Sequence, residues 1–169
     1  HVSFVDGKDI AQWEAAITPG TRAVFFESIS NPALEVIDIK SVSDLAHAAD
    51  ALVMVDNVLA TPVFSRAVEQ GADLVIYSTT KHIDGQGRTL GGVILGSTDL
   101  IRGTVEPYMK HTGGSMSPFT AWLMVKSLET IDLRVRAQTA TAQDLAAALS
   151  EHPKLNQMIY PGHASHPQH

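Results

Sequence analysis

The hydrophobic positions in the first half of the chain alternate between a helical spacing and short continuous runs. The segment "DGKDIAQWEAAI" places Ile10, Trp13 and Ile17 on one face of a helix, with Asp6 or Asp9 available as its cap. The runs "RAVFFES", "ALVMVDN", "ADLVIYS" and "GGVILG" predict four strands, because each is short, apolar and bounded by turn residues. Continuously apolar strands separated by helical segments predict an α/β protein with a mostly parallel sheet covered on both faces.

The segments that link the first three strands have their own helical signals. "SVSDLAHAAD" predicts a short helix capped by Ser41 or Ser43, and "PVFSRAVEQG" predicts another that stops at its glycine. After the fourth strand the pattern becomes helical, beginning with "STDLIRGTVEPYM". A longer pattern starts at Ser117, a good cap, followed by Pro118 at the first helical position. It continues without Gly or Pro until Pro153, so it predicts one long helix or two in tandem. Its segment "AWLMVKSL" adds four residues expected in the core, Trp122, Leu123, Met124 and Val125.

Composition narrows the class of protein. The chain has 169 residues, of which 44% are hydrophobic and 18% charged, which suits one globular domain. Its net charge of −6 gives no basic surface for a nucleic acid, and the absence of cysteine excludes disulfides and thiol nucleophiles. No apolar run approaches the roughly 20 residues that cross a bilayer, and the first residues lack the features of a signal peptide. We therefore expect a cytoplasmic protein without nucleic-acid or membrane partners.

Polar side chains follow three of the predicted strands. Asn31 follows the first strand, Asp56 closes the second, and Ser78, Thr80 and Lys81 follow the third. Ligands of open α/β sheets bind beyond the carboxyl ends of the strands, so these side chains are expected to share a pocket.

The lysine gives this set its chemistry. Lys81 stands at what looks like the end of a buried strand, where an ammonium is costly without a partner or a chemical task. A lysine kept neutral by burial or nearby charge forms a Schiff base with an aldehyde such as pyridoxal phosphate. The hydroxyls of Ser78 and Thr80 suit the phosphate, and Asp56 suits the ring nitrogen, which must stay protonated. Asn31 suits the phenolic oxygen.

Three stretches carry a family resemblance. "DLVIYSTTKHIDGQG" resembles the lysine signature of the Cys/Met-metabolism family of pyridoxal-phosphate enzymes, the relatives of cystathionine γ-synthase. "FFESISNPALEVIDI" and "VMVDNVLATP" resemble the two preceding blocks of that family, in the same order. Further stretches of the sequence, such as "YMKHTGGSMSPFTAW" and "YPGHASHPQH", resemble the O-succinylhomoserine sulfhydrylase branch. The resemblance extends over essentially the whole chain. It implies part of the large domain of the aminotransferase-like fold (fold type I), with a mostly parallel sheet and flanking helices.

The resemblance also implies a task for each site residue. Lys81 binds the cofactor covalently and, once released, moves protons between substrate carbons. Asp56 pairs with the pyridinium nitrogen, Ser78 and Thr80 bind the phosphate, and Asn31 approaches the phenolic oxygen. No metal is implied.

Two departures from the family pattern bear on the subfamily. His82 stands where the family often has an aromatic residue, and Val58 stands where it often has Thr. The implied reaction is γ-replacement: O-succinylhomoserine and sulfide give homocysteine and succinate. A cystathionine γ-synthase or a γ-lyase of the same family is the alternative. From another class, a non-catalytic nucleotide-binding α/β module is a further alternative.

Members of the family are substantially longer than this chain. The resemblance therefore implies that residues 1–140 form the latter part of the large domain and residues 141–169 begin the small one. It implies a homotetramer, built as a dimer of dimers, for the full-length protein. The chain by itself is expected to be inactive.

Plainer interpretations exist for each signal. Lys81 is a loop lysine in solvent if the flanking blocks are ignored, Asp56 is a common cap of a following turn, and Ser78 and Thr80 are common turn residues. The glycines fit neither nucleotide-binding motif, so they are expected in tight turns or close backbone approaches: Gly85, Gly87, Gly91 and Gly92. The histidines of the last segment are expected in solvent rather than around a metal: His163, His166 and His169. Arg134 and Arg136 are expected on a solvated or inter-subunit face.

Overall fold

The computed structural model describes residues 1–169 and is built on one four-stranded sheet. The strands are β1 (Ala23–Glu27), β2 (Leu52–Asp56), β3 (Leu74–Ser78) and β4 (Gly92–Gly96). The α-helices are α1 (Ile10–Ala16), α2 (Ile39–Ala48), α3 (Thr61–Phe64), α4 (Thr98–Leu100), α5 (Glu106–Thr112), α6 (Pro118–Leu128) and α7 (Ile131–Ser150). A 3₁₀ turn (Ala67–Gln70) precedes β3, a π-helical turn (Thr79–Ile83) follows it, and a π-helical segment (Ile101–Val105) joins α4 to α5.

The sheet has the order β1-β2-β3-β4, and its first three strands are parallel. Glu27 lies opposite Asp56, and Asp56 lies opposite Ile76, so the carboxyl ends of these strands meet at one edge. The last strand, β4, runs antiparallel to β3 and places Gly92 opposite Ser78. The prediction of a mostly parallel α/β sheet is confirmed.

The hydrophobic core lies mainly on one face of the sheet. Every second strand residue is buried there, together with residues of α1 and α2: Val24, Phe26, Val53, Val55, Val75, Tyr77, Trp13, Val42 and Ala46. The rings of Trp13 and Phe26 meet edge to face with centroids 5.6 Å apart. On the opposite face, Phe25 is 57% exposed and Leu52 is 39% exposed. The prediction that both faces are covered is therefore wrong for this chain, because its helices bury only one of them completely.

Two helices, α1 and α6, begin after their predicted capping residues. Asp9 accepts the backbone N–H of Ala11 at 3.0 Å and caps α1, and Ser117 accepts the N–H of Thr120 and caps α6. The cap of α2 is Asp38 rather than Ser41 or Ser43, because the helix begins earlier than the serines suggest. Hydrogen bonds from the backbone N–H and the hydroxyl of Ser41 hold the pKa of Asp38 below its usual value.

The segment "PVFSRAVEQG" forms two short helical pieces instead of one helix. The first, α3, ends at Phe64, and Ser65 is extended (φ −128°, ψ 120°). The side-chain amide of Asn57 binds the carbonyl of Ser65 at 2.9 Å, which withdraws that carbonyl from a helical ladder. The 3₁₀ turn then ends at Gly71, which is left-handed (φ 110°) as expected of a glycine stop.

The long helical pattern beyond Ser117 is two helices, α6 and α7. The prediction of a core segment in α6 is only partly right: Met124 is buried and Leu123 half-buried, but Trp122 and Val125 are more than half exposed. The next helix, α7, continues without a break through residue 140, and the division into two domains there stays a prediction. None of the helices has both the length and the apolar character that crossing a membrane requires.

Candidate active site

The predicted lysine lies on the π-helical turn Thr79–Ile83, called here the Lys81 turn. Lys81 has φ −86° and ψ −119°, so the helical path is kinked at the lysine itself. The turn is closed by the N–H of Asp84, which donates to the carbonyl of Thr79 at 2.8 Å, and by the N–H of Gly85, which donates to the carbonyl of Lys81 at 2.7 Å. The Lys81 side chain is exposed, contrary to the expected burial, because it stands on a turn beyond the strand. Its amine is therefore accessible to a ligand.

Asp56 ends β2 at the same edge of the sheet and is half-buried. Its Oδ1 accepts the backbone N–H of Val58 at 3.0 Å, so the plainer interpretation, a cap of the following turn, describes one of its two oxygens. Its Oδ2 has no hydrogen-bond partner within the chain and can accept a hydrogen bond from a protonated nitrogen of a ligand. The turn fixes the direction of the carboxylate while leaving one oxygen for a ligand.

The two predicted hydroxyls differ in their surroundings. Ser78 is half-buried, and its hydroxyl makes no hydrogen bond within the chain. Thr80 accepts the N–H of Gly91 at 3.2 Å and lies 3.5 Å from the carbonyl of the same residue. A hydroxyl has one donor, which Thr80 gives to this carbonyl at a long distance, so it can donate to a further partner only by releasing that bond. The two bonds tie the Lys81 turn to the start of β4.

Between these two residues lies Thr79, to which the sequence assigned no task. Its side chain is buried and its hydroxyl has no hydrogen-bond partner. A Cβ at Gly91 would lie 2.7 Å from this hydroxyl oxygen and 2.7 Å from Cε of Met116. The expected close backbone approach is therefore found at Gly91, where any larger residue requires Thr79 and Met116 to shift.

Asn31 lies on the exposed loop that follows β1, and its bond to Pro32 is cis. Its backbone N–H donates to Oε2 of Glu27 at 2.8 Å, while its side-chain amide makes no hydrogen bond within the chain. The carboxyl-terminal segment holds this loop, since Nε2 of His166 contacts the carbonyl of Leu34 at 3.1 Å. The expectation that His166 lies in solvent is therefore wrong, because its ring binds a backbone carbonyl and is buried.

A fully buried amide connects the strand ends beneath the site. Asn57 accepts the hydroxyl of Ser28 at 2.8 Å, and its amide donates to the hydroxyl of Tyr77 at 2.9 Å. Burial raises the pKa of Tyr77, and the hydrogen bond from Asn57 opposes that effect without cancelling it. The sequence pattern gives Asn57 no task, although it follows the second predicted strand. The signal that points to it is a polar residue at the first position beyond a buried strand.

The side chains at this edge fit pyridoxal phosphate by their chemistry. An accessible amine on Lys81 suits the aldehyde, the free oxygen of Asp56 suits the ring nitrogen, and the unpaired hydroxyl of Ser78 suits the phosphate. The strand register brings the three segments that carry them to one edge of the sheet.

Comparisons with known proteins agree with this chemistry. A family model described as Cys/Met metabolism PLP-dependent enzyme matches residues 1–169. The chain is 51% identical over 166 residues to the O-succinylhomoserine sulfhydrylase of Mycobacterium tuberculosis (strain ATCC 25618 / H37Rv), covering 98% of this chain and 41% of that protein. It is 45% identical over 169 residues to the O-succinylhomoserine sulfhydrylase of Pseudomonas aeruginosa, covering 100% of this chain and 42% of that protein.

One solved structure is nearly superimposable on the chain. It is cystathionine gamma-lyase from Lactobacillus plantarum in complex with L-serine, at 31% identity and a TM-score of 0.94. The match covers 98% of this chain and 44% of that one. The chain therefore spans about two fifths of the length of the curated relatives it matches.

Proposed function

The chain belongs to the family of Cys/Met metabolism PLP-dependent enzymes, and on that premise we propose that the full-length protein containing it converts O-succinylhomoserine and sulfide into homocysteine and succinate. The observation that carries this proposal is that β2, which ends at Asp56, and β3, which ends at Ser78 just before the Lys81 turn, are neighbouring parallel strands that end at one edge of the sheet. The choice of substrate is supported by the identity of 51% and 45% to two O-succinylhomoserine sulfhydrylases.

In this proposal the residues of the chain hold the cofactor from several sides. Nζ of Lys81 would bind its aldehyde, and Oδ2 of Asp56 would accept a hydrogen bond from its protonated ring nitrogen. The hydroxyl of Ser78 would donate to its phosphate, and that of Thr80 would do so in exchange for its long bond to the carbonyl of Gly91. The side-chain amide of Asn31 donates to its phenolic oxygen. When bound, pyridoxal phosphate supplies an electron sink that stabilises negative charge on the substrate carbons.

Lys81 would have a second task as the group that moves protons on the substrate. Its Nζ takes the proton from the α-carbon and delivers it to a neighbouring carbon. The exposed position on a kinked turn gives the side chain room to move between these carbons. The carboxylate of Asp56 would lie against the ring nitrogen, and its hydrogen bond from the N–H of Val58 fixes its direction.

The net reaction exchanges one bond at the γ-carbon. The bond between the γ-carbon and the succinyl oxygen breaks, and succinate leaves with that electron pair. Sulfide then forms the new bond between carbon and sulfur, and protonation completes homocysteine.

Substitution of Lys81 tests the proposal in the full-length protein. Lys81→Ala should abolish the visible absorbance of the lysine-linked cofactor and the adduct trapped by borohydride. Homocysteine formation should fall by about 10³-fold or more, since both covalent and proton-transfer tasks are lost. Lys126→Ala is the matched control, because Lys126 is an exposed lysine of α6 that pairs only with Glu129. A lysine-linked band that persists in Lys81→Ala would contradict the assignment.

A γ-lyase is the second candidate, favoured by the likeness to cystathionine gamma-lyase from Lactobacillus plantarum. Assays with sulfide, with cysteine and without a nucleophile distinguish the sulfhydrylase from a cystathionine γ-synthase and a γ-lyase.

A homotetramer, a cytoplasmic location and a domain division at residues 140 and 141 are proposed for the full-length protein. The 169-residue chain alone should give little or no turnover, and robust homocysteine synthesis by it would contradict that expectation.

A further inference from the structure

One arginine binds the backbone on the far side of the Lys81 turn. Nη1 of Arg134 donates to the carbonyl of His82 at 2.8 Å, and Nη2 donates to the carbonyl of Ile83 at 3.0 Å. The same guanidinium donates to the carbonyl of Ser127 and to the hydroxyl of Thr130, each at 3.0 Å. The arginine is half-buried, so the expectation of a solvated face is wrong for it, and the alternative of an inter-subunit face stays a prediction. It connects the two residues that follow Lys81 to the junction of α6 and α7.

A glycine makes room for this guanidinium. Gly85 is left-handed (φ +73°), and a Cβ at this position would lie 2.0 Å from Nη1 of Arg134 and 2.8 Å from its Cζ. The guanidinium therefore packs directly on the backbone of the turn. Gly87 is also left-handed (φ +67°), yet a Cβ there would meet no atom within 4 Å. A side chain at position 85 would therefore collide with Arg134, whereas one at position 87 would collide with nothing.

An ion pair between a buried carboxylate and a half-buried arginine fixes the next residue of the chain, Asp84. Asp84 is almost completely buried. Its carboxylate accepts hydrogen bonds from the backbone N–H of Arg88 at 2.5 Å and from the side-chain Nε of Arg88 at 2.8 Å. Arg88 also donates to the hydroxyl of Ser127 at 2.9 Å. Burial raises the pKa of Asp84, but the hydrogen bonds and charge of Arg88 outweigh burial and lower the pKa below its usual value. Asp84, through Arg88, and Arg134 directly thus join the end of the Lys81 turn to Ser127 of α6.

We propose that Arg134 is a positioning residue that sets the direction of the Lys81 side chain. The backbone of Lys81 is non-helical, so the peptide groups that follow it determine where its side chain projects. Arg134 holds the carbonyl oxygens of the next two residues and prevents those peptide groups from rotating. A planar guanidinium serves two carbonyls at once, whereas a lysine at this position is a single point charge. The inference rests on the proposed function, in which Lys81 is the lysine that binds the cofactor.

The test compares two pairs of variants in the full-length protein. Arg134→Met removes the fork, and Arg136→Met is its control, because Arg136 lies on the same helix and pairs with Asp132. Gly85→Ala displaces the guanidinium without removing it. Gly87→Ala is its control, because it introduces a side chain at a similar positive φ in open space. Arg134→Lys keeps the charge and loses the planar fork.

Two measurements decide the outcome. In cofactor-free protein, hydrogen exchange of the amides of Asp84 and Gly85 should become about tenfold faster in Arg134→Met and Gly85→Ala, because those amides close the Lys81 turn. The rate at which Lys81 captures added pyridoxal phosphate should fall by about tenfold in the same variants. Arg134→Lys should lie between them and the wild type, and both controls should stay within about twofold of the wild type.

The results separate this inference from the proposed function. Exchange and capture equal to those of the matched controls would overturn the positioning by Arg134, even if the variants melt at a lower temperature. If Arg134→Met does not fold, the comparison of Gly85→Ala with Gly87→Ala decides alone. A lysine-linked band that survives Lys81→Ala would overturn the proposed function. If Lys81→Ala loses the band but the Arg134 variants match their controls in exchange and capture, only this inference is overturned.

Discussion

The hydroxyl of Ser28 donates a hydrogen bond to the side-chain oxygen of Asn57 at 2.8 Å, and both side chains are buried. Ser28 follows β1 and Asn57 follows β2, so the bond joins the two strands at the residues just beyond their paired ends. The amide of Asn57 extends the connection to Tyr77 in β3. These bonds hold Asn57 in place and thereby fix the backbone position of the preceding residue, Asp56.

Replacing Asn57 by leucine should therefore destabilise the protein strongly. The change leaves buried groups of Ser28, Ser65 and Tyr77 without their partner, at a cost of about 2–4 kcal/mol in the free energy of unfolding. Denaturant unfolding of the full-length protein measures it. Asn156→Leu, at an exposed position, should change the free energy by less than about 0.5 kcal/mol. Equal stability of the two variants would show that the buried amide is dispensable.

Asp56→Asn should separate turn capping from chemistry. Asparagine retains an oxygen for the N–H of Val58, so the free energy of unfolding should change by less than about 1 kcal/mol. The negative charge is lost, so homocysteine formation should fall by about 10²-fold or more. Asp144→Asn, on an exposed part of α7, should leave both quantities unchanged. A variant at position 56 with normal activity would mean that capping is the only task of Asp56.

The ion pair of Asp84 and Arg88 should make stability depend on pH in acid. The pKa of Asp84 is lowered in the folded protein, so its stabilising effect is present above the unfolded value of about 3.9 and is lost as the pH falls through the folded value. The urea midpoint of Asp84→Asn should lie below that of the wild type at neutral pH, and the gap should narrow below about pH 4.

Asp44→Asn is the control for that experiment, because it interrupts an exposed pair with Lys40 on α2. Its midpoint should stay close to that of the wild type at every pH. A gap between Asp84→Asn and the wild type that widened in acid would have the wrong sign for a carboxylate stabilised in its charged form.

Gly91→Ala should disturb the contact between β4 and the Lys81 turn. The new methyl group would lie 2.7 Å from the hydroxyl oxygen of Thr79 and from Cε of Met116, so the buried threonine must shift. We expect a loss of about 1–3 kcal/mol in the free energy of unfolding, measured by denaturant titration. Gly103→Ala adds the same methyl group in open space and should cost nothing. Equal effects of the two substitutions would mean that the contact at Gly91 relaxes freely.

The sequence was informative where a local pattern determines structure. Continuous apolar runs located all four strands, and the polar residues after them located Asp56, Ser78 and Lys81 at one edge of the sheet. This succeeds because the strands of a parallel sheet are rich in apolar residues, and their carboxyl ends lie together at the edge where ligands bind. Whether those residues bind the cofactor as proposed stays a prediction.

What the sequence did not predict depends on contacts between distant residues. The exposure of Lys81 follows from a kinked π-helical turn, which has no hydrophobic periodicity of its own. Arg134 has the pattern of a surface arginine, and its partners His82 and Ile83 lie more than 50 residues away. The exposed Trp122 misled the core prediction, because helical spacing shows that a face is apolar but not what covers it.

The packing of Arg134 on Gly85 also has an evolutionary consequence. A side chain at position 85 and an arginine at position 134 exclude each other in this geometry, since a Cβ would overlap Nη1. Homologous sequences should therefore vary at these two positions together. A relative that has lost the glycine should have a shorter residue in place of the arginine, and some other means of holding the turn that carries its lysine.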